Sequence, residues 1–435
     1  SSGGSIMPPV MGVAAFVLAA LTAVPYASVI MAAIIPAVAY FFCLFLSVVF
    51  QSRKQNIQAI GMITEEMRLE FQDALNLIMV LAPIVLILFL LLTDKGSVGC
   101  GLWGGIMGAE RIITANGCDV QSLPWILQLL QNAAGDAGSA GWFAVILLIF
   151  LLFLDPEVRA RPKKIVDGLS GAGVLISTLY LMFLTVSIID FCLNFTGLPV
   201  FLSLDVLAWL NELNLGSTGP FMIQFTALLL TMMIAVLLGM GMPAVPAYIN
   251  VALLMGPVLA GLGLGTFTAH MFIFYFAVAS AITPPVALAA FAASTITKAG
   301  PMGTAVAAVK SGIVIFTIPF VFAFYPEILL IEEARLASAH IAGISKTSFL
   351  PGYSSTIDLQ NLALLLFRLA IALYLVSSCL ARHDMSPIGF FEVSLRLGIA
   401  VFLLFKAPVV FCSAIVAAII LLALHRFRHS SKLTQ

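Results

Sequence analysis

The sequence predicts an all-α membrane protein, a multi-span helical bundle in which some helices are broken. Three observations lead there. Hydrophobic residues make up 62% of the 435 and charged residues only 9%, against about 25% charged in a soluble domain, so the chain cannot cover a water-facing surface. Runs of roughly 20 apolar residues recur, each long enough to cross a hydrocarbon core of about 30 Å. These runs are unbroken, which excludes the ten-residue alternation of a membrane β-barrel. Twenty basic residues balance twenty acidic ones, leaving no net field to draw in nucleic acid.

The elements follow in order. A glycine-rich opening, SSGGSIMPPVMG, leads into an apolar stretch from Val10 to Leu21, a break at Val24-Pro25 and a span from Ser28 to Phe50. The mixed-charge stretch Gln51 to Asp73 is too polar to span and reads as an amphipathic connector. A span from Ala74 to Leu92 precedes a long loop, Thr93 to Gly141, with one short helix expected near Trp125–Gln131. Spans are then expected at Trp142–Leu154, Val174–Phe195 and Phe221–Leu238. Beyond them lie GMGMP (Gly239 to Pro243) and three pieces of 10–14 residues, Ala244–Met255, Thr268–Ala281 and Val286–Thr295. Such pieces are too short to span and read as broken or re-entrant helices. A span from Thr304 to Phe324, a polar linker and three apolar stretches (361–381, 389–405, 408–424) complete the chain.

An internal repeat stands out. SIMPPV recurs as AITPPV 276 residues later, so Pro8 and Pro9 correspond to Pro284 and Pro285. PPVMGVAAFVLAALTAVPYA aligns with PPVALAAFAASTITKAGPMG, and each copy has a further proline 16 residues after its second. Paired prolines remove two backbone donors and break the helix. Within a bilayer the freed groups are tolerated only inside protein or lining a cavity. There, carbonyls can coordinate a small cation and a half-helix N-terminus can hold an anion, so paired breaks at corresponding places in two halves point to a secondary transporter. The two glycines and proline of GMGMP suit an unwound helix whose backbone approaches a ligand.

GMGMPAVPAYINVALLMGPVLAGLGL, followed by AHMFIFYFAVASAITPPVALAAFAA, resembles the fused permease of tripartite ATP-independent periplasmic (TRAP) transporters, as does SSGGSIMPPVMGVAAF at the start. The resemblance covers most of residues 1–330. It implies an inner-membrane, elevator-type permease with inverted repeats, two re-entrant hairpins and Na⁺-coupled uptake of a small carboxylate. A periplasmic binding protein, of the TAXI type for fused permeases, would deliver the substrate, and a small four-helix membrane domain would accompany the chain. On this resemblance residues 1–50 end the first repeat, 51–165 hold the connector, two spans and a polar insertion, 166–330 form the second repeat and 331–435 a C-terminal extension. Ser2, Gly3, Gly4, Ser5, Ser280 and Thr283 at the hairpin tips would bind Na⁺. Gly239, Gly241, Met242 and Pro243, with Pro8, Pro9, Pro284 and Pro285, would frame the substrate. Family chains continue well upstream, so the expectation is that this chain begins inside a longer protein and does not transport by itself. SIIDFCLNFTGL also departs from the glycine-rich family version.

Other residues are weighed against this reading. Asp190 sits inside a span, where a carboxylate is costly; it is expected near the interface, with a proton-coupled transporter as the alternative. A non-transporting scaffold subunit is the remaining rival. Glu392 and Arg396, four apart on one helix, are expected to neutralise each other. Arg368, Lys310 and Lys406 are expected to snorkel, and His270 to be packed and hydrogen-bonded. No CxxC occurs, although Cys100 and Cys118 share a polar loop and could pair. HExxH, GxSxG and Walker A motifs are absent, so no enzyme chemistry is indicated. The basic clusters Arg159–Lys164 and Arg426–Lys432 favour the cytoplasm.

Overall fold

The computed structural model describes residues 2–8, 11–57, 71–93, 98, 110–114, 117–122, 124–197, 201, 204–206, 208–209, 212, 220–330 and 358–433. Among them seven helical segments are long and apolar enough to cross a membrane, Pro301–Phe324 counting as one. The multi-span helical class is as expected, although Ala244–Gly261 joins the spans while the helices at 137–152 and 390–403 are shorter. The helices are α1 (Ser2–Ile6), α2 (Val13–Thr22), α3 (Tyr26–Lys54), α4 (Phe71–Leu92), α5 (Trp125–Ala133), α6 (Ala137–Leu152), α7 (Pro156–Ala160) and α8 (Lys163–Thr196). There follow α9 (Pro220–Gly239), α10 (Ala244–Gly261), α11 (Thr266–Ala279), α12 (Leu288–Thr297), α13 (Pro301–Ser311), α14 (Val314–Phe324), α15 (Leu359–Ala381), α16 (Phe390–Leu403) and α17 (Pro408–Leu433).

The chain forms two compact units. One comprises Pro8–Ile30 and Met62–Ile188. Within it α4 and α6 pack along each other, and the Gly135 N–H donates to the Leu90 carbonyl at 3.0 Å. Asp136 caps α6 by accepting from Ser139 N–H at 2.8 Å, which satisfies an orphan donor and starts the helix five residues ahead of Trp142. The expected helix at 125–131 is α5. The long loop also holds a feature the sequence did not announce, an antiparallel hairpin of β1 (Glu110–Thr114) and β2 (Gly117–Ser122). Cys100 lies outside the described residues, so the pairing with Cys118 does too, as do most of the connector and Pro9.

The second unit comprises Ser1–Met7, Met31–Gly61 and Ile189–Gln435. Its centre is α11, buried at 12 of its 14 positions, as befits a helix that is apolar all round. Neighbours α9, α10 and α14 enclose it, with Phe272 and Phe276 edge-on to Phe320 and Tyr275 edge-on to Phe322. Along α3 the buried positions Ala33, Ala37, Tyr40, Cys43, Ser47 and Phe50 recur every three or four residues while Phe41, Phe45 and Val48 are exposed. That stripe is the face a helix turns inward.

One expectation needs correcting: α10 does not stop at Met255 but runs 18 residues to Gly261, with Pro257 inside it. A proline within a membrane helix is tolerated when neighbouring elements satisfy the freed backbone, and the helix ends only where Gly263 turns to a φ of +85°.

The repeat is visible in the backbone. Helix α2 has ten residues and ends in a left-handed cap at Ala23, before Pro25. Helix α12 has ten residues and ends in a left-handed cap at Lys298, before Pro301. A long helix follows in the first copy, and the pair α13–α14 in the second.

Beyond the linker, α15, α16 and α17 pack into a C-terminal three-helix module around Leu375, Leu403 and Ala418. Arg396 is its buried hub. The guanidinium donates to Ser378 Oγ at 2.7 Å and Asp384 Oδ2 at 3.2 Å, and pairs with Glu392 Oε1 at 2.8 Å as the spacing predicted. His425 Nδ1 meets the same Glu392 oxygen at 2.9 Å. Arg368 does not snorkel. It is buried, donating to the carbonyls of Leu403 (2.8 Å) and Phe405 (3.2 Å) at the end of α16 and lying over the Phe411 ring at 4.1 Å. An arginine there completes carbonyls that the helix end leaves bare.

Candidate functional site

The break between α9 and α10 is built by its glycines. Gly239 ends α9, and Gly241 adopts a φ of +80°, a left-handed conformation that costs other residues about 1–2 kcal/mol. Pro243 then occupies the N-cap of α10. Proline is at home there because the first turn has no use for its missing N–H. The unwinding expected at Gly239, Gly241, Met242 and Pro243 is therefore present.

The second Pro-Pro tip meets this break. After α11 the chain tightens into a 3₁₀ turn, Ser280–Ile282, and Thr283 leads into Pro284 and Pro285. The turn packs against α9, α12 and α13. The fully buried Ser280 hydroxyl faces two carbonyl oxygens, Gly239 at 3.0 Å and Ala277 at 2.7 Å, and its single proton is shared between them. Thr283 Oγ1 donates to the Ala279 carbonyl at 2.8 Å. The Gly239 carbonyl also accepts from the Met242 N–H at 3.2 Å, so the hydroxyls add contacts to carbonyls at the ends of α9 and α11, where intrahelical donors run out. The approach is as close as it can be: a Cβ on Gly239 would lie 2.5 Å from Ser280 Oγ.

The first tip is only partly joined to this arrangement. Helix α1, carrying Ser2, Gly3, Gly4 and Ser5, packs against α11. Gly3 is buried against Tyr40 and Phe41 of α3, where a Cβ would meet Phe41 Cζ at 2.8 Å, while Gly4 is open. Pro8 follows in a turn and belongs to the other unit.

One polar residue escaped the sequence reading. Asn250 on α10 has a buried Oδ1 without a hydrogen-bond partner among the described residues. Three residues earlier, Ala247 Cβ lies 3.4 Å from where a Cβ on Gly239 would be, so Asn250 continues the same helix face one turn on. The signal was a lone amide in an apolar helix, seven residues after the break. His270 is packed as expected, its Nδ1 lying 2.7 Å from the Tyr248 hydroxyl. Asp190 lies in α8, and its side chain is outside the described atoms.

Elsewhere, an open groove of about 520 Å³ runs along α4 between Leu77 and Phe89, lined by apolar side chains. It offers no group to orient a polar substrate and suits lipid chains. No group of three or more potential metal-ligating His, Cys, Asp or Glu side chains occurs among the described residues.

No curated protein and no solved structure matches the chain. The profile of one family does, over residues 1–106 and 124–334: the tripartite ATP-independent periplasmic transporter, DctM component. The match spans more than half of the chain, takes in both tips and the break between α9 and α10, and stops short of the C-terminal module. The chain therefore belongs to the DctM family, the membrane permease component of TRAP transporters in the inner membrane.

Proposed function

We propose that this permease component couples entry of Na⁺ to uptake of a small carboxylate that a periplasmic binding protein, of the TAXI type, hands to it. A small four-helix membrane partner would complete the assembly. The observation that carries the reading is the Ser280 hydroxyl lying between the carbonyls of Gly239 and Ala277. Three oxygens converge without a formal charge, which is the donor set a weakly held alkali cation uses when helices are interrupted. The neutral amide oxygen of Asn250, buried on the adjoining helix and unpartnered among the described residues, adds a fourth candidate ligand. Ser2, Gly3, Gly4 and Ser5 would supply the equivalent set at the first tip, and Thr283 the outer hydroxyl at the second. With the tips ordered by the ion, the N-terminal turn of α10 after Met242 and Pro243, beside Pro284 and Pro285, would face the carboxylate. Ion and substrate are coupled because each favours the same closed arrangement, and the ion can shift the equilibrium only by its difference in affinity between states.

The test requires no substrate. Thermal stability of the purified permease is measured in NaCl against KCl and choline chloride at equal ionic strength. A saturable, Na⁺-specific rise is expected, worth about 2.7 kcal/mol at a hundredfold excess over Kd, and Ser280→Ala should weaken it. Equal stability in the three salts would overturn Na⁺ coupling and move attention to protons and Asp190.

A further inference from the structure

The C-terminal module lies outside the matched family region, and its junction with α3 gathers positive charge at one end. Lys54 Nζ, in the last turn of α3, donates to the Ala381 carbonyl at the end of α15 at 2.9 Å. The next residue, Arg382, is the left-handed cap of α15 and is exposed. Arg53, beside Lys54 in the last turn of α3, is also exposed. Arg426 is exposed too and follows His425, whose Nε2 lies 3.1 Å from Ser386 Oγ in the same turn region.

Among the described residues, the acids of the α15–α16 turn and the start of α16 are already committed. Asp384 and Glu392 are bound to Arg396, with Glu392 also meeting His425 and Asp384 accepting from Tyr374. Arg53, Arg382 and Arg426 make no ion pair among the described residues. Phe390 and Phe391 in the first turn of α16 and Phe427 near the end of α17 are about four-fifths exposed, and from the end of α3 inward the seam continues as Phe50 edge-on to Tyr374. Basic groups above an apolar, aromatic wall match a molecule with an anionic head and acyl chains, as basic pockets between spanning helices do on the cytoplasmic side. Basic residues at span ends also favour the cytoplasm.

We propose that the seam between the end of α3 and the α15–α16 turn, carrying Arg53, Lys54 and Arg382, is a binding site for the head of an anionic phospholipid in the cytoplasmic leaflet. The ligand's phosphate bridges the two arginines while its chains lie against the exposed phenylalanines, so that the lipid fastens the C-terminal module to α3. This site is separate from the proposed ion site and stands or falls independently of it.

The full chain is purified in an uncharged detergent and titrated with phosphatidylglycerol, with phosphatidylcholine of the same chains, and with inorganic phosphate. Binding is read by native mass spectrometry and by thermal shift. Phosphatidylglycerol is expected to bind saturably and at least tenfold more tightly than phosphatidylcholine, with inorganic phosphate giving no shift. Arg53→Gln/Arg382→Gln should abolish that preference, while Lys406→Gln, exposed in the turn between α16 and α17, should retain it. The proposal is overturned by equal binding of the two lipids, by stabilisation with phosphate alone, by an unchanged preference in the double variant, or by an equal loss in Lys406→Gln.

Discussion

Gly239→Ala is the sharpest probe of the contact between the helix break and the second tip. The added methyl would stand 2.5 Å from Ser280 Oγ, 2.7 Å from Ser280 Cβ and 3.4 Å from Ala247 Cβ. Non-bonded carbon atoms prefer about 3.5–4.0 Å, so the overlap with Ser280 is near 1 Å. Ser280 is fully buried and cannot swing aside. Overpacking of this kind costs about 1–3 kcal/mol, and separating the segments also loses the Ser280 hydrogen bond to the Gly239 carbonyl, about 0.5–1.5 kcal/mol. Against this, alanine at a helical position gains up to about 1 kcal/mol over glycine. The clash wins by roughly 1–3 kcal/mol, a factor of about 5 to 150 in the population of the closed arrangement. If that arrangement holds the ion, the Na⁺ concentration giving half-maximal thermal stabilisation should rise by up to the same factor, since the apparent Kd scales inversely with the fraction of competent state. Gly4→Ala is the control, because a Cβ there meets nothing within 4 Å. A Gly239→Ala permease with the parent's Na⁺ midpoint would refute the reasoning. So would one that loses stability equally in NaCl and KCl while keeping its ion response, because the contact would then be only packing.

Further outcomes follow from the same structure. Arg396→Ala leaves the buried Asp384 without its cation and removes one partner of the half-buried Glu392, so chemical unfolding should show a loss of about 3 kcal/mol. Gly241→Ala forces a side chain into the φ of +80° and should lower stability by about 1–2 kcal/mol, measured in the same way. Cys43 Sγ and Ser377 Oγ lie 3.0 Å apart, so Ser377→Cys should form a disulfide with Cys43 under mild oxidation, detected as a loss of free thiol reversed by reductant. Arg382→Cys should react with a membrane-impermeant maleimide only in inside-out vesicles. Labelling from the outside would reverse the assigned orientation.

The parts of the fold that were legible in the sequence are those whose causes are local. Spanning helices follow from apolar runs. The break at Gly239–Pro243 follows from residues that can adopt left-handed φ or occupy a first helical turn. The repeat is carried by prolines, which act on the backbone wherever they stand, and so it reappears as two helices of equal length. What stayed hidden depends on distant partners. Arg368 looked like a snorkelling residue because its acceptors at Leu403 and Phe405 lie 35 and 37 residues away. Pro257 looked like a stop because its neighbours in space were unknown. The hairpin at 110–122 was masked by a glycine-rich surround, and its pairing is set by strand register that no apolar run advertises. At the site, sequence supplied the hydroxyls and glycines but not which of them meet. Ser280 and Gly239 are 41 residues apart, and Asn250 became relevant only once Ala247 was placed against Gly239.

The equal length of α2 and α12, ten residues each, also has an electrical consequence. At 1.5 Å per residue such a helix rises about 15 Å, half of a hydrocarbon core of about 30 Å. An arm of that length would set the tip it follows near mid-depth of the bilayer. A monovalent cation lodged there would have crossed roughly half of the transmembrane voltage, about 1.2 kcal/mol for each 100 mV. The membrane potential would then act on ion occupancy at the tips as well as on the passage that follows.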